Sequence, residues 1–205
     1  MILLTSSQKI YITLLIIGIA VFLILLFILL YRLWTARKVN NKLVASKLYR
    51  FANMNDYLLL NDYHINIDDV NVGKIDHILV SNKYIYVIHD YSYYGVISGL
   101  YFDEQLKLTN KKGERNIANP LNYNRNLAKR LALSNGLDNT FIKGIVVLGD
   151  QSTFKIDELP AQFNICRSSK LIKTIKEMDG SEVKPFKEET IVKFINYLSK
   201  ENDRK

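Results

Sequence analysis

Lys74-Ile-Asp-His-Ile-Leu-Val-Ser-Asn-Lys-Tyr-Ile-Tyr-Val-Ile-His-Asp-Tyr-Ser-Tyr-Tyr-Gly-Val-Ile-Ser-Gly99 is the stretch that decides the fold. It reads as three short strands, 75–81, 84–91 and 95–102. Asn82-Lys83 is a two-residue connection, and Ser92-Tyr93-Tyr94-Gly95 is turn-like. The β-branched and aromatic residues between suit a pleated, mostly buried surface. One carboxylate, Asp76, interrupts the apolar run, and an acid in such a place needs a partner or a metal. Side chains alternate along a strand, so His77 faces away from Asp76. By the same rule His89 and Tyr91 share a face and Asp90 points the other way, unless a bulge shifts the register.

Working outward, 42–53 carries Leu43, Val44, Leu48 and Phe51 at helical spacing and predicts a helix on the sheet. Residues 57–63 read as a first strand, followed by a polar loop, 66–73, with Asp68 and Asp69. Asp62, Asp68 and Asp69 are expected to be solvated loop acids. A short strand is predicted at 106–109 and a polar loop at 110–119, holding Lys111, Lys112 and Arg115. Pro120 suits the first turn of a helix, which runs to about Ser134 and stops at Asn135-Gly136. The continuous apolar run 141–148 suits a strand covered on both faces. A strand at 162–166, a short helix through Met178 and an amphipathic helix over 187–198 complete the reading. The fold class expected is α/β, a mixed sheet flanked by helices.

The N-terminal part differs in composition. Residues 10–31 contain no charged side chain, and about 20 apolar residues are enough to cross a hydrocarbon core. The expectation is a short external tail (1–9), a transmembrane helix (10–31), a basic juxtamembrane linker (32–41) and a cytosolic domain (42–205). Arg32, Arg37, Lys38, Lys42, Lys47 and Arg50 follow the run with no acid before Asp56, which predicts a single-pass cell-membrane protein with its N-terminus outside. The same basic excess would attract anionic lipid. All 20 acidic residues and 21 of the 28 Lys and Arg lie at or beyond Asp56, so that part carries about +1. This near-neutrality argues against a strongly basic nucleic-acid-binding domain. Cys166, the single cysteine, excludes an intrachain disulfide and reads as a small buried residue.

Ile75-Asp76-His77, Val87-Ile88-His89-Asp90-Tyr91, Tyr94-Gly95, Gly99 and Asn119-Pro120-Leu121 together resemble the nuclease-related domain (NERD) family, over roughly residues 42–150. The resemblance implies a restriction-endonuclease-like PD-(D/E)-x-K fold. It also implies a metal-dependent site made of an Asp on one strand and a Glu-x-Lys on the next. Asp76 matches the Asp. His89 stands where the Glu is expected, Tyr91 where the Lys is expected, and Tyr123 replaces a Gln of the Asn-Pro-Leu block. The family's helical Glu has no counterpart between residues 32 and 55.

Asp76, His89 and Tyr91 are thus the catalytic positions of a degenerate site. Asp76 and His89 would be a poor magnesium pair, since magnesium prefers hard oxygen ligands, whereas manganese or zinc accepts an imidazole. Tyr91 donates a hydrogen bond but carries no positive charge at neutral pH. Arg125, Lys129 and Arg130 share a helix side and are the candidates for touching phosphate, against a plain solvated helix face. The Tyr91-Tyr93-Tyr94 cluster reads as packing or as a stacking platform. The leading expectation is a membrane-anchored, non-catalytic nuclease-like module that binds nucleic acid or a protein, with no cofactor. One alternative is a residual Mg- or Mn-dependent endonuclease using Asp76 and His89. Another is a membrane-tethered protein adaptor with no nucleic-acid role.

Overall fold

The computed structural model describes residues 6–67, 70–180 and 184–202; within helices and strands, the side chains of 6–14, 29–41, 66–67, 70–72, 188 and 199–202 are also outside the description. The expected external tail lies partly, and Asp68 and Asp69 lie wholly, outside the described residues. The first helix, α1, runs Ser6–Asn55, and the chain separates into two compact units, 1–39 and 40–205.

In the first unit the described side chains, 15–28, are exposed apolar residues such as Leu15, Phe22 and Phe27. Among the described residues no helix is long and apolar enough to cross a membrane. This corrects the expected transmembrane helix at 10–31. The membrane anchor, the lipid contact of the basic segment and the single-pass cell-membrane placement fall with it.

The second unit holds two sheets where one was expected. Its strands are β1 (Leu58–Ile67), β2 (Val70–Val80), β3 (Ile85–Tyr91), β4 (Gly95–Leu100), β5 (Gln105–Asn110), β6 (Gly113–Ala118), β7 (Ile142–Leu148), β8 (Ser152–Asp157) and β9 (Phe163–Arg167). The first sheet has the order β1-β2-β3-β7-β9, antiparallel through β3 and parallel beyond it. The second has the order β6-β5-β4-β8. The helices are α2 (Pro120–Ser134), α3 (Leu171–Asp179) and α4 (Glu188–Asn202). The expected loop 66–73 is instead the junction of the long β1–β2 hairpin. The expected polar loop 110–119 contains β6, an edge strand whose side chains are exposed except Ile117, so no apolar alternation announces it.

The faces of the first sheet are both buried, as the near-continuous apolar run of β3 and β7 requires. Val44, Leu48 and Phe51 of α1 pack with Leu171 and Ile175 of α3 over Leu79, Tyr86 and Ile88. On the opposite face, Leu121, Leu127 and Leu131 of α2 pack over Ile78, Val87 and Val146, together with Ile97 and Leu106 of the second sheet. Helix α2 begins as its sequence predicts. Asn119 Oδ1 accepts from the Leu121 N–H at 2.9 Å, and Pro120 fills the first helical position, where no amide hydrogen is needed. Gly144 in β7 lets α2 approach closely, because a Cβ there would collide with Asn124 Oδ1 and the Phe163 ring.

Candidate functional site

Strands β2 and β3 pair from Val80↔Ile85 to His77↔Ile88 and then part. The notch so opened contains Asp76, His89, Asp90 and Tyr91. Asp76 fills the missing rung of the ladder: its Oδ2 accepts from the Asp90 N–H at 3.2 Å. On the neighbouring strand Asp62 adopts φ 55°, a left-handed conformation uncommon for a residue with a side chain. It lies within β1 and not in the loop that the sequence predicts, and its exposed carboxylate forms an ion pair with Lys74.

Asp90 joins Asp76 although pleat alternation sets it opposite His89. With the ladder interrupted, the Asp76 carboxylate lies between the strands, where the Asp90 backbone N–H reaches it. Burial, and then the charge of Asp76, push the Asp90 carboxyl up to about 7.

His89, in the position of the family Glu, is 2 % exposed, and both of its ring nitrogens are engaged. Nε2 donates to the Lys74 carbonyl at 3.0 Å, and Nδ1 accepts from the Asn124 side-chain amide at 3.2 Å. The orientation of that amide is set by its other contacts. Asn124 Nδ2 also lies 3.0 Å from Val87 O and 3.2 Å from Ile145 O, so its two hydrogens are shared among three acceptors, and an oxygen there would face two carbonyls. The imidazole is therefore held as the neutral Nε2–H form, and burial lowers its pKa in the same sense. Tyr123 covers it: the rings meet edge to face at 5.2 Å, and the Tyr123 hydroxyl donates to Lys74 O at 3.3 Å.

Tyr91 lies parallel to Tyr93 at 5.4 Å between centroids, and burial raises its phenol, which keeps the proton. No ammonium stands at this position. His77 is buried on the other side of the strand, with Nδ1 donating to Asn61 Oδ1 at 2.6 Å and its pKa pushed down to about 4 by burial. Of the three cations expected to touch phosphate, Arg125 is turned onto the rings of Tyr101 and Phe102, at 5.3 Å and 5.7 Å. Lys129 and Arg130 are exposed on the same helix.

Position 76 keeps a carboxylate, whereas positions 89 and 91 offer neither a carboxylate nor an ammonium. An imidazole whose two nitrogens are bonded within the protein offers no lone pair, and Tyr91 offers no charge. Among the described residues no three His, Cys, Asp or Glu side chains gather in a way that would hold a metal ion. Sequence reading missed Asn124, which anchors His89 from 35 residues downstream. A buried Asn amid the apolar positions of α2 was the available signal.

No curated protein and no solved structure matches this chain. The model of the nuclease-related domain matches residues 36–149, more than half of the sequence and the whole of the notch between β2 and β3, and the chain belongs to the nuclease-related domain (NERD) family.

Proposed function

We propose that this protein is a nuclease-related module that holds nucleic acid without hydrolysing it, on a PD-(D/E)-x-K-type sheet whose cutting groups have been replaced. The observation that carries the reading is the double anchoring of His89. An ordinary hydrolytic site of this kind needs a free carboxylate there to share a cation with Asp76, and a lysine two residues on to meet the charge developing on phosphorus. Here the first position supports the fold and the second is an uncharged tyrosine. Losing one electrostatic donor of this kind costs on the order of a hundred- to a thousand-fold in rate. The test incubates the full chain with end-labelled single-stranded and duplex DNA in Mg²⁺ or Mn²⁺. The expected result is a shifted complex whose strands remain intact on a denaturing gel. Cleavage that disappears in Asp76→Ala would overturn it.

One observation favours a second reading. Asp76 and Asp90 are joined where the Asp76 carboxylate accepts from the Asp90 N–H, and Lys74 feels the charge of both. Hard cations are often held by one or two carboxylates, with water and phosphate oxygens completing the shell. On this reading Asp90 would supply the acid that position 89 lacks. The same assay separates the two: activity lost in both Asp76→Ala and Asp90→Asn, and retained in His89→Gln, supports the displaced site.

A further inference from the structure

The β5–β6 hairpin ends in a two-residue tip, Lys111-Lys112, between the paired residues Asn110 and Gly113. Asn110 Oδ1 accepts from the Lys112 N–H at 2.8 Å and fixes the turn, so both lysines project from a rigid end and not from a loose loop. Arg115 follows on β6, also exposed. The one acid in the hairpin, Glu114, is already engaged by Lys107 at 2.8 Å and by the Thr109 hydroxyl at 3.3 Å. Three cationic side chains are left uncompensated within the hairpin, in a region whose overall charge is near neutral.

An aromatic ring stands beside them. Gly95 brings the β3–β4 connection so close to β5 that a Cβ would collide with the Thr109 carbonyl, and Asn110 Nδ2 donates to Tyr94 O at 3.4 Å. Tyr94 is 49 % exposed. With Asn110, Lys111, Lys112, Arg115 and the lysine-paired Glu114 it lines a recess of about 560 Å³. Positive side chains that track a backbone, beside an aromatic face on which a base can stack, are the two components of single-strand recognition. Duplex binding would use the cations but leave the ring without an unpaired base. Tyr94 is four residues from Asp90, so the recess and the notch are served by one short connection.

We infer that Lys111, Lys112, Arg115 and Tyr94 form a binding site for single-stranded nucleic acid, the cations contacting successive phosphates and Tyr94 stacking on a base. The inference rests on the nucleic-acid reading above and assigns the surface that carries it: the hairpin, and not the Lys129–Arg130 face of α2.

The experiment measures binding of a fluorescent single-stranded oligonucleotide to the full chain across a salt series. Lys111→Ala/Lys112→Ala/Arg115→Ala is expected to weaken binding at least tenfold. It should also flatten the slope of log K against log salt by about 2, three phosphate contacts at roughly 0.7 each. Tyr94→Ala is expected to cost roughly tenfold on single strands and little on duplex, with Tyr94→Phe restoring most of it. Lys170→Ala/Lys173→Ala/Lys193→Ala, three exposed lysines elsewhere, controls for net charge and should cost less than twofold. Wild-type binding that survives in the hairpin variant, or that falls further in Lys129→Ala/Arg130→Ala, overturns the hairpin assignment and leaves the proposed function standing. A wild-type chain that binds no oligonucleotide overturns both.

Discussion

Two buried polar knots hold the first sheet, one on each face, and they do different things with similar physics. On the α3 side Asp179 gathers hydroxyls from three places: Tyr86 at 2.7 Å, Ser81 at 3.2 Å and Tyr57 at 3.3 Å. Lys83 Nζ donates to the Asp179 carbonyl at 3.1 Å. On the α2 side Asn124 gathers two strand carbonyls and the ring of His89. Each knot supplies partners to polar groups that would otherwise be costly to bury, although Asn124 Oδ1 itself is left buried without one. The Asp179 knot closes the end of a helix onto a turn. The Asn124 knot occupies the Nδ1 lone pair of His89, and on the proposed reading that is what withdraws the ring from metal chemistry. The difference teaches that, on that reading, a position can leave chemistry by being hydrogen-bonded well, with no damage to the sheet around it.

Asn124→Leu is the sharpest way to break that comparison. It leaves Val87 O, Ile145 O and His89 Nδ1 without their donor in a fully buried place, and a cost of about 3 kcal/mol is expected. Asp179→Ala should cost less, about 1–2 kcal/mol, because Ser81 and Tyr86 keep second acceptors in Tyr84 O and Ile175 O. Urea unfolding of both variants ranks the two knots. An Asn124→Leu protein as stable as wild type would remove the structural explanation for His89.

That ranking also measures what sequence could and could not show. Helix α2 was legible to its ends, because Asn119-Pro120 and Asn135-Gly136 are local signals read within a few residues. Strands β3 and β7 were legible from apolar content. The strand β6 was not, since an exposed edge strand has polar residues on both faces. The split into two sheets was not legible either, because pairing β4 with β8 joins segments some 57 residues apart, such as Ile97 and Phe154. At the site, the replacements at 89 and 91 were visible in the motif. What they do instead was hidden, because His89 and Asn124 meet across 35 positions, and Asp179 and Tyr86 across 93. Asp179, one residue beyond the helix predicted through Met178, is also an acceptor for hydroxyls of the sheet. Asp90 reaches Asp76 because the ladder opens, a tertiary event that alternation alone does not contain.

The pH dependence of stability sharpens the comparison by a smaller effect. Asp90, raised from an ordinary 3.8 to about 7, holds a proton in the native state that the unfolded chain has released between those values. Its contribution is complete below about 4 and is lost as the pH rises through 7. His77 has the opposite sign. Lowered from 6.5 to about 4, it is neutral in the native state, and its contribution is complete above 6.5 and lost as the pH falls toward 4. Asp90→Asn should remove the first dependence and keep the second. Between pH 6.5 and 8 the thermal midpoint of wild type is expected to fall by a few degrees more than that of the variant. Equal slopes would show that burial beside Asp76 does not raise the Asp90 carboxyl.

The central claim concerns one ring, and its nitrogen atoms report on it directly. Long-range ¹H–¹⁵N correlation spectra of the full chain at neutral pH give the state of His89 without and with Mg²⁺ or Zn²⁺. The account predicts a neutral imidazole protonated at Nε2, with Nδ1 as acceptor, unmoved by either ion. A proton on Nδ1, an imidazolium, or a shift on adding metal would show a ring free to act, and would contradict it.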